Sequence, residues 1–354
     1  MSEPASRLTL LQALRGAAAL AVVLCHVGTV LRDPFGGVLR VGHAGVDVFF
    51  VLSGYIIATV HGAELGCPAC LARYAWRRLA RIYPIYWIAT LMALGLSARG
   101  MIALGPVTAA HLAWSLLLLP AHQAPVLGAA WTLSHEMMFY AAFGLAIAHR
   151  RAGLGLLALW IAFILVLLPR AAATDPWAPA DLLTGFVGSS YNLQFALGVG
   201  VATIVPRMPR TSPALLIVLG VAGLVLTGVA EAGGRVAYLG ERGQALYGLS
   251  AALLIWGLVA AEQSGGRAGR LPVMLGDASY AIYLIHAPLV MAAGSLGVVT
   301  ALPHLLGAAL LAAIGLGGGI VLHGVVERPV LRALRRPNFP WARLLPRPRR
   351  TWSE

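Results

Sequence analysis

The sequence predicts an all-α, polytopic membrane protein, and three observations carry that prediction. Of 354 residues, 59% are hydrophobic and only 11% charged, against roughly 25% charged in a soluble domain. Mean hydropathy is +0.81. Apolar runs of about 20 residues, the length a helix needs to cross a bilayer, recur along the chain. Helices are the expected spanning form because they satisfy their own backbone hydrogen bonds in hydrocarbon. The same composition, with only three cysteines, excludes a disordered chain and a disulfide scaffold.

Taken in order, the expected spans are 9–31, 44–61, 79–97, 128–149, 152–169, 182–205, 212–230, 244–262, 275–296 and 301–326. An eleventh apolar stretch, 107–120, is short, contains His111 and lies between Pro106 and Pro120, so it either crosses or forms a re-entrant or interfacial piece. Arginine placement decides between these. All 26 basic residues are arginine, and the net charge is +13. If 107–120 does not cross and the N-terminus is cytoplasmic, 19 arginines fall inside and six outside; if it crosses, the split becomes eight and 17. The positive-inside bias therefore selects about ten spans with both termini in the cytoplasm. Arg15 interrupts the first apolar run, which favours an uncleaved helix over a signal peptide. Residues 1–330 then make one membrane domain. Residues 331–354 make a basic cytoplasmic tail suited to lipid headgroups rather than to nucleic acid. Cys67 and Cys70 form a single C-x-x-C with no second pair, so incidental thiols are favoured over half a zinc site or a redox pair.

Ionisable groups within lipid are costly unless paired or hydrated, which makes each a functional candidate. Arg15 and His26 stand eleven residues apart on the first span, three turns along one face and about 16 Å along the axis. The plainer alternative is a snorkelling arginine and a packed histidine. Thr132, Glu136 and Tyr140 share a stripe at i, i+4, i+8. Glu136 and His26 lie at similar depth below the outer surface, which permits a carboxylate–imidazole contact fixing the histidine tautomer. Asp47 falls near the outer end of the second span and Ser53 deeper; without G-x-S-x-G, Ser53 reads as a structural hydroxyl. Gly45 and Gly54 suit close helix packing. Arg73, Arg77 and Arg81 fall at i, i+4, i+8 with Arg78 beside them: either a topology signal or a cationic mouth whose guanidinium forks clamp phosphate. Tyr280, Tyr283 and His286 follow at i, i+3, i+6, and Glu327 is expected to pair with an arginine at the membrane edge.

Six segments in this order resemble the acyltransferase-3 family of integral membrane acyltransferases. They are Arg15 to His26 (R-x10-H), Gly45 to Tyr55, Arg78-Leu79-Ala80-Arg81-Ile82-Tyr83-Pro84, Trp131 to Tyr140, Ser279 to His286 and Glu327-Arg328-Pro329, together spanning residues 8 to about 330. His135 has no place in that pattern. The resemblance implies a ten-helix core and transfer of an acyl group, commonly acetyl, from cytoplasmic acyl-CoA to a hydroxyl of a carbohydrate or related acceptor, without a metal. It implies His26 as the catalytic residue, Arg15 as its essential partner and Arg78/Arg81 as part of the CoA site. It also implies the stand-alone form, without a hydrolase-like domain, in a bacterial inner membrane. The chemistry suits the residues: a general base at His26, a cationic mouth from Arg73 to Arg81, and Arg15 or Tyr283 stabilising the oxyanion. The competing classes are a secondary transporter or exporter of a lipid-linked glycan using Arg15, His26, Asp47 and Glu136 as an ion path, and a non-enzymatic sensor whose arginines bind anionic lipid or nucleotide.

Overall fold

The computed structural model describes residues 8–169, 181–207 and 211–334, and every regular element among them is helical. The chain runs through α1 (Thr9–Val30), a 3₁₀ stretch (Val38–Ala44) leading directly into α2 (Gly45–His61), and α3 (Leu71–Ala98). A short α4 (Ala109–Leu116) precedes α5 (Trp131–Ala148) and α6 (Arg150–Leu167). A π turn (Leu182–Val187) then leads to α7 (Ser190–Thr203), followed by α8 (Pro213–Ala232), α9 (Glu241–Gln263), α10 (Arg270–Ser295) and α11 (His304–Leu322). A second π turn (His323–Glu327) joins α11 to α12 (Arg328–Leu334). Most of the tail expected at 331–354 lies outside the described residues.

Each of the ten expected spans coincides with a helix, and eight helical stretches are long and apolar enough to cross a bilayer. The other two fall short for identifiable reasons. In α5 the apolar run is broken by His135 and Glu136, and α7 has only 14 residues beyond its π turn. The outward faces agree with a lipid surround: Leu154, Leu159 and Val166 on α6, and Val218, Val225 and Leu226 on α8, are exposed where a soluble protein would present charge. The stretch 107–120 contains only the eight residues of α4, about 12 Å of helix, too short to cross a core of about 30 Å. Thr108 caps α4 by accepting from His111 N–H. The end of α4 turns back along α3, where Tyr86, Trp87 and Tyr83 donate to the carbonyls of Ser115, Leu116 and Leu117 at 2.6, 3.0 and 2.9 Å.

Glycine sets the closest helix approaches. A methyl group at Gly54 would overlap the Phe195 carbonyl of α7, and one at Gly198 would overlap the Val51 carbonyl of α2, so the two helices are stitched reciprocally. Gly45 meets the Ala18 carbonyl of α1, and Gly276 of α10 meets the Gln12 carbonyl. The close packing expected at Gly45 and Gly54 is therefore present. At one end of the bundle, the Glu262 carboxylate at the end of α9 accepts from the backbone N–H groups of Thr9 and Leu10, satisfying orphan donors at the start of α1. At that end Gly66 N–H also donates to the Ala146 carbonyl, tying the α2–α3 turn to the end of α5.

Candidate active site

A cavity of about 310 Å³ lies between α1, α2, α3, α5 and α10. On α2 its wall runs from Val46 to Ile56, about 15 Å along the helix axis. Arg15, Arg78 and Arg81 form one part of the lining, and Ser53, Glu136, Tyr140 and Tyr283 also contribute. Sequence positions far apart are thus brought together: α3 supplies two guanidinium groups, α1 a third and α5 the carboxylate.

Each charged group is held by a specific partner. Arg81 pairs with Glu327, which is fully buried in the π turn after α11 and is also bonded by the His323 ring at 2.8 Å. The edge pairing expected for Glu327 is therefore with Arg81. The Arg81 guanidinium also sits over the Tyr280 ring, 5.0 Å from its centroid. Arg78 donates to His61 Nε2 at 2.9 Å, His61 Nδ1–H donates to Glu64 at 2.7 Å, and Arg73 donates to the other Glu64 oxygen at 2.9 Å. This relay orients Arg78 toward the cavity, while its guanidinium stands 5.7 Å from the Tyr140 ring centroid. Glu136 accepts from Tyr140 and, at 3.4 Å, from Ser53. Ser279, fully buried on the cavity lining, has no partner for its hydroxyl among the described residues.

The structure separates residues that spacing and depth group together, and one expectation, the pair of free thiols, is overturned. The i, i+4, i+8 stripe is not the cavity face: Arg73 is taken up by Glu64, Arg77 is exposed, and Arg78 with Arg81 lines the cavity. The reason is that α3 is oriented by its contacts with Tyr280, whose hydroxyl donates to the Ile82 carbonyl at 2.8 Å, and with Glu327. Among the described residues His26 bonds Val22 and His286, and Glu136 bonds Tyr140 and Ser53 instead. Asp47 is not on the cavity lining: it is fully buried and accepts from Gln194 Nε2 at 2.5 Å, and its second oxygen has no partner among the described residues. Cys67 and Cys70 are joined in a disulfide rather than present as two thiols, because the turn Pro68–Cys70 brings their Cα atoms within 5.4 Å. His135, unplaced by sequence, stacks on Phe186 at 4.1 Å and bonds Asn192 at 3.0 Å.

His26 lies beyond the cavity lining rather than on it. Its ring meets His286 edge-on, with centroids 4.8 Å apart. His286 in turn lies 6.0 Å from the Tyr283 ring, which does line the cavity and whose hydroxyl bonds Thr132 at 3.0 Å and Ala129 O at 3.2 Å. The hydrogen bonds define a tautomer for the pair. His286 Nδ1–H donates to the Ile282 carbonyl at 3.0 Å, leaving its Nε2 as acceptor. His26 Nδ1–H is shared between the Val22 carbonyl at 3.0 Å and that nitrogen at 3.2 Å. The lone pair of His26 is then on Nε2, which has no protein partner among the described residues, and the residue as a whole is only partly buried. Such a nitrogen can accept a proton. Arg15 makes its hydrogen bond to Gln12 at 3.2 Å, three turns of α1 away from His26.

No group of three or more histidine, cysteine, aspartate or glutamate side chains suited to a metal occurs among the described residues. Against known proteins, the acyltransferase-3 family profile, described as an acyltransferase domain, matches residues 9–324. The exopolysaccharide production protein ExoZ of Rhizobium meliloti is 33% identical over 305 residues, covering 82% of this chain and 90% of that protein. The acyltransferase MdmB of Streptomyces mycarofaciens is 31% identical over 381 residues, covering 94% of each. No solved structure matches the chain.

Proposed function

The chain belongs to the acyltransferase-3 family and is a polytopic membrane acyltransferase, and on that premise we propose that it transfers an acetyl group from acetyl-CoA to a hydroxyl of a carbohydrate, with His26 as general base. One observation carries the reading: a cavity with three guanidinium groups on its lining leads to Tyr283, which is backed by the His286–His26 pair. Arg15, Arg78 and Arg81 suit the phosphates of a CoA-type donor. The unpartnered Ser279 hydroxyl offers a hydrogen bond to the amide-bearing arm. An exopolysaccharide relative supports a glycan acceptor.

In this mechanism His26 Nε2 takes the proton of the acceptor hydroxyl as its oxygen forms a bond to the thioester carbonyl carbon. Tyr283, one layer from the histidine pair, donates to the developing oxyanion. The carbon–sulfur bond then breaks, and the proton held by His26 passes to the departing thiolate, restoring the neutral ring. His286 keeps the His26 tautomer fixed throughout. Arg15 serves the donor phosphates rather than the imidazole, because the two lie about 16 Å apart along α1. The enzyme sits in a bacterial inner membrane with ten crossings, both termini cytoplasmic and the arginine-lined mouth facing the cytoplasm; the arginine distribution supports that orientation.

The test is His26→Ala in purified full-length protein. Acetyl transfer is expected to disappear while membrane insertion and thermal protection by acetyl-CoA persist. Transfer at the wild-type rate would overturn the assignment.

A further inference from the structure

A second cavity, about 660 Å³, lies at the C-terminal ends of α1 and α10, with Arg32, Met101, Met291, Ser295, Thr300 and His304 among its walls. The same two helices carry both cavities and both histidines. On α1, Arg15 lines the first cavity and Val30 the second, with His26 between them, one turn or about 6 Å short of Val30. On α10, Tyr283 lines the first and Met291 the second, with His286 between. On both helices the imidazole pair therefore lies between the residues that line the first space and those that line the second.

We infer that this second cavity receives the acceptor, and that the acceptor is an acidic saccharide; the inference rests on the acyltransferase reading above. The lining chemistry specifies the class. Arg32 is exposed and makes no ion pair among the described residues. It is presented by an unusual backbone: Arg32 and Asp33 both adopt left-handed φ values, +59° and +58°, which non-glycine residues enter only at a cost. The turn is fixed by Asp33 N–H donating to Gly28 O at 2.7 Å and by Gly37 N–H donating to the Asp33 carboxylate at 2.9 Å. The turn fixes where the Arg32 side chain leaves the backbone, and a guanidinium without an ion pair among the described residues suits a carboxylate or phosphate on the ligand. The Ser295 and Thr300 hydroxyls each donate to a backbone carbonyl, at 2.8 and 2.9 Å, so their lone pairs are left to accept from sugar hydroxyls. Met101 and Met291 give an adaptable apolar wall for a sugar face. Donor and acceptor thus enter from opposite ends and meet at His26.

The experiment uses purified full-length protein with acetyl-CoA and two probe acceptors, octyl β-D-glucuronide and octyl β-D-glucoside. Wild type is expected to acetylate the glucuronide with a kcat/KM about tenfold higher, the scale of one charge-assisted hydrogen bond, and Arg32→Gln to abolish that preference. Thr300→Trp, which places a bulky ring in the cavity wall, is expected to lower kcat/KM for both glycosides at least about tenfold, or 1.4 kcal/mol, while KM for acetyl-CoA stays within about twofold. Unchanged acceptor kinetics in Thr300→Trp, a preference that survives Arg32→Gln, or a loss appearing in the acetyl-CoA KM overturns the inference. If wild type acetylates neither glycoside yet hydrolyses acetyl-CoA in a His26-dependent way, the acidic-saccharide class is wrong and the donor-site reading stands. Absence of both activities removes that reading and this inference with it.

Discussion

Replacing His286 isolates the part of the site that does not touch the cavity. In His286→Leu the ring is exchanged for an apolar group of comparable bulk, so the fully buried position beside Gly315 stays filled. What is lost is the acceptor nitrogen 3.2 Å from His26 Nδ1, while the Val22 carbonyl at 3.0 Å still holds the same proton. One hydrogen bond of a shared pair is removed, a net contribution of about 0.5–1.5 kcal/mol. At 1.4 kcal/mol per factor of ten, that is a fall of about 2- to 12-fold in kcat. Removing the general base itself is expected to cost about 10²- to 10⁴-fold, so the two variants are well separated. His286→Gln can return an acceptor oxygen to the same place and is expected to recover most of the loss. The assay is release of CoA thiol with saturating acetyl-CoA and a fixed acceptor, with KM for acetyl-CoA measured in parallel and expected to stay constant. A His286→Leu defect as large as that of His26→Ala would mean that His286 itself exchanges the proton, and the positioning argument would fail. Equal defects in the Leu and Gln variants would show that the hydrogen bond has no part in it.

Three further outcomes follow from the geometry. Arg78→Gln removes a cavity guanidinium but leaves the Arg81–Glu327 pair in place; acetyl-CoA affinity measured by calorimetry should fall by about 10- to 100-fold, the range of a hydrogen bond to a charged group, with acceptor KM unchanged. Gly54→Ala drives a methyl group into the Phe195 carbonyl and should destabilise the protein by about 1–3 kcal/mol, read as a lowered thermal midpoint in detergent. A cysteine at the exposed Ser264, between α9 and α10, should react with an impermeant maleimide only after the membrane is opened; labelling of intact cells would invert the proposed orientation.

The helices were legible because lipid imposes a simple rule: the long apolar runs Thr9–Val30 and Pro213–Ala232 have no other stable form. The short α4 was legible as an anomaly, from the prolines that bound its stretch. The rotation of each helix was much less visible, because it depends on partners distant in sequence. Spacing could group Arg73, Arg77 and Arg81, but only the contacts of α3 with Tyr280 and Glu327, some 200 and 246 positions away, single out Arg78 and Arg81 as the cavity pair. Likewise, depth in the membrane allowed Glu136 to meet His26, yet azimuth gives that place to His286 on α10 and turns Glu136 toward Tyr140 and Ser53. The His61–Glu64–Arg73 relay does have a local signature in the sequence: an acidic side chain three residues after a histidine and nine before an arginine, in a chain with only 13 acidic residues.

The glycine contacts divide the arginine-lined cavity into walls of different stiffness. Where α1, α2, α7 and α10 touch, backbone lies against backbone, and neither helix can slide without breaking van der Waals contact along several turns. By contrast, α3 reaches α10 and the α11 end through the tips of side chains, at Arg81 and Tyr280. An entering nucleotide would therefore be accommodated by displacement of α3 and the folded-back segment resting on it, with α1 and α2 serving as the fixed reference. Hydrogen exchange on binding should register that asymmetry, concentrated on one side of the ligand.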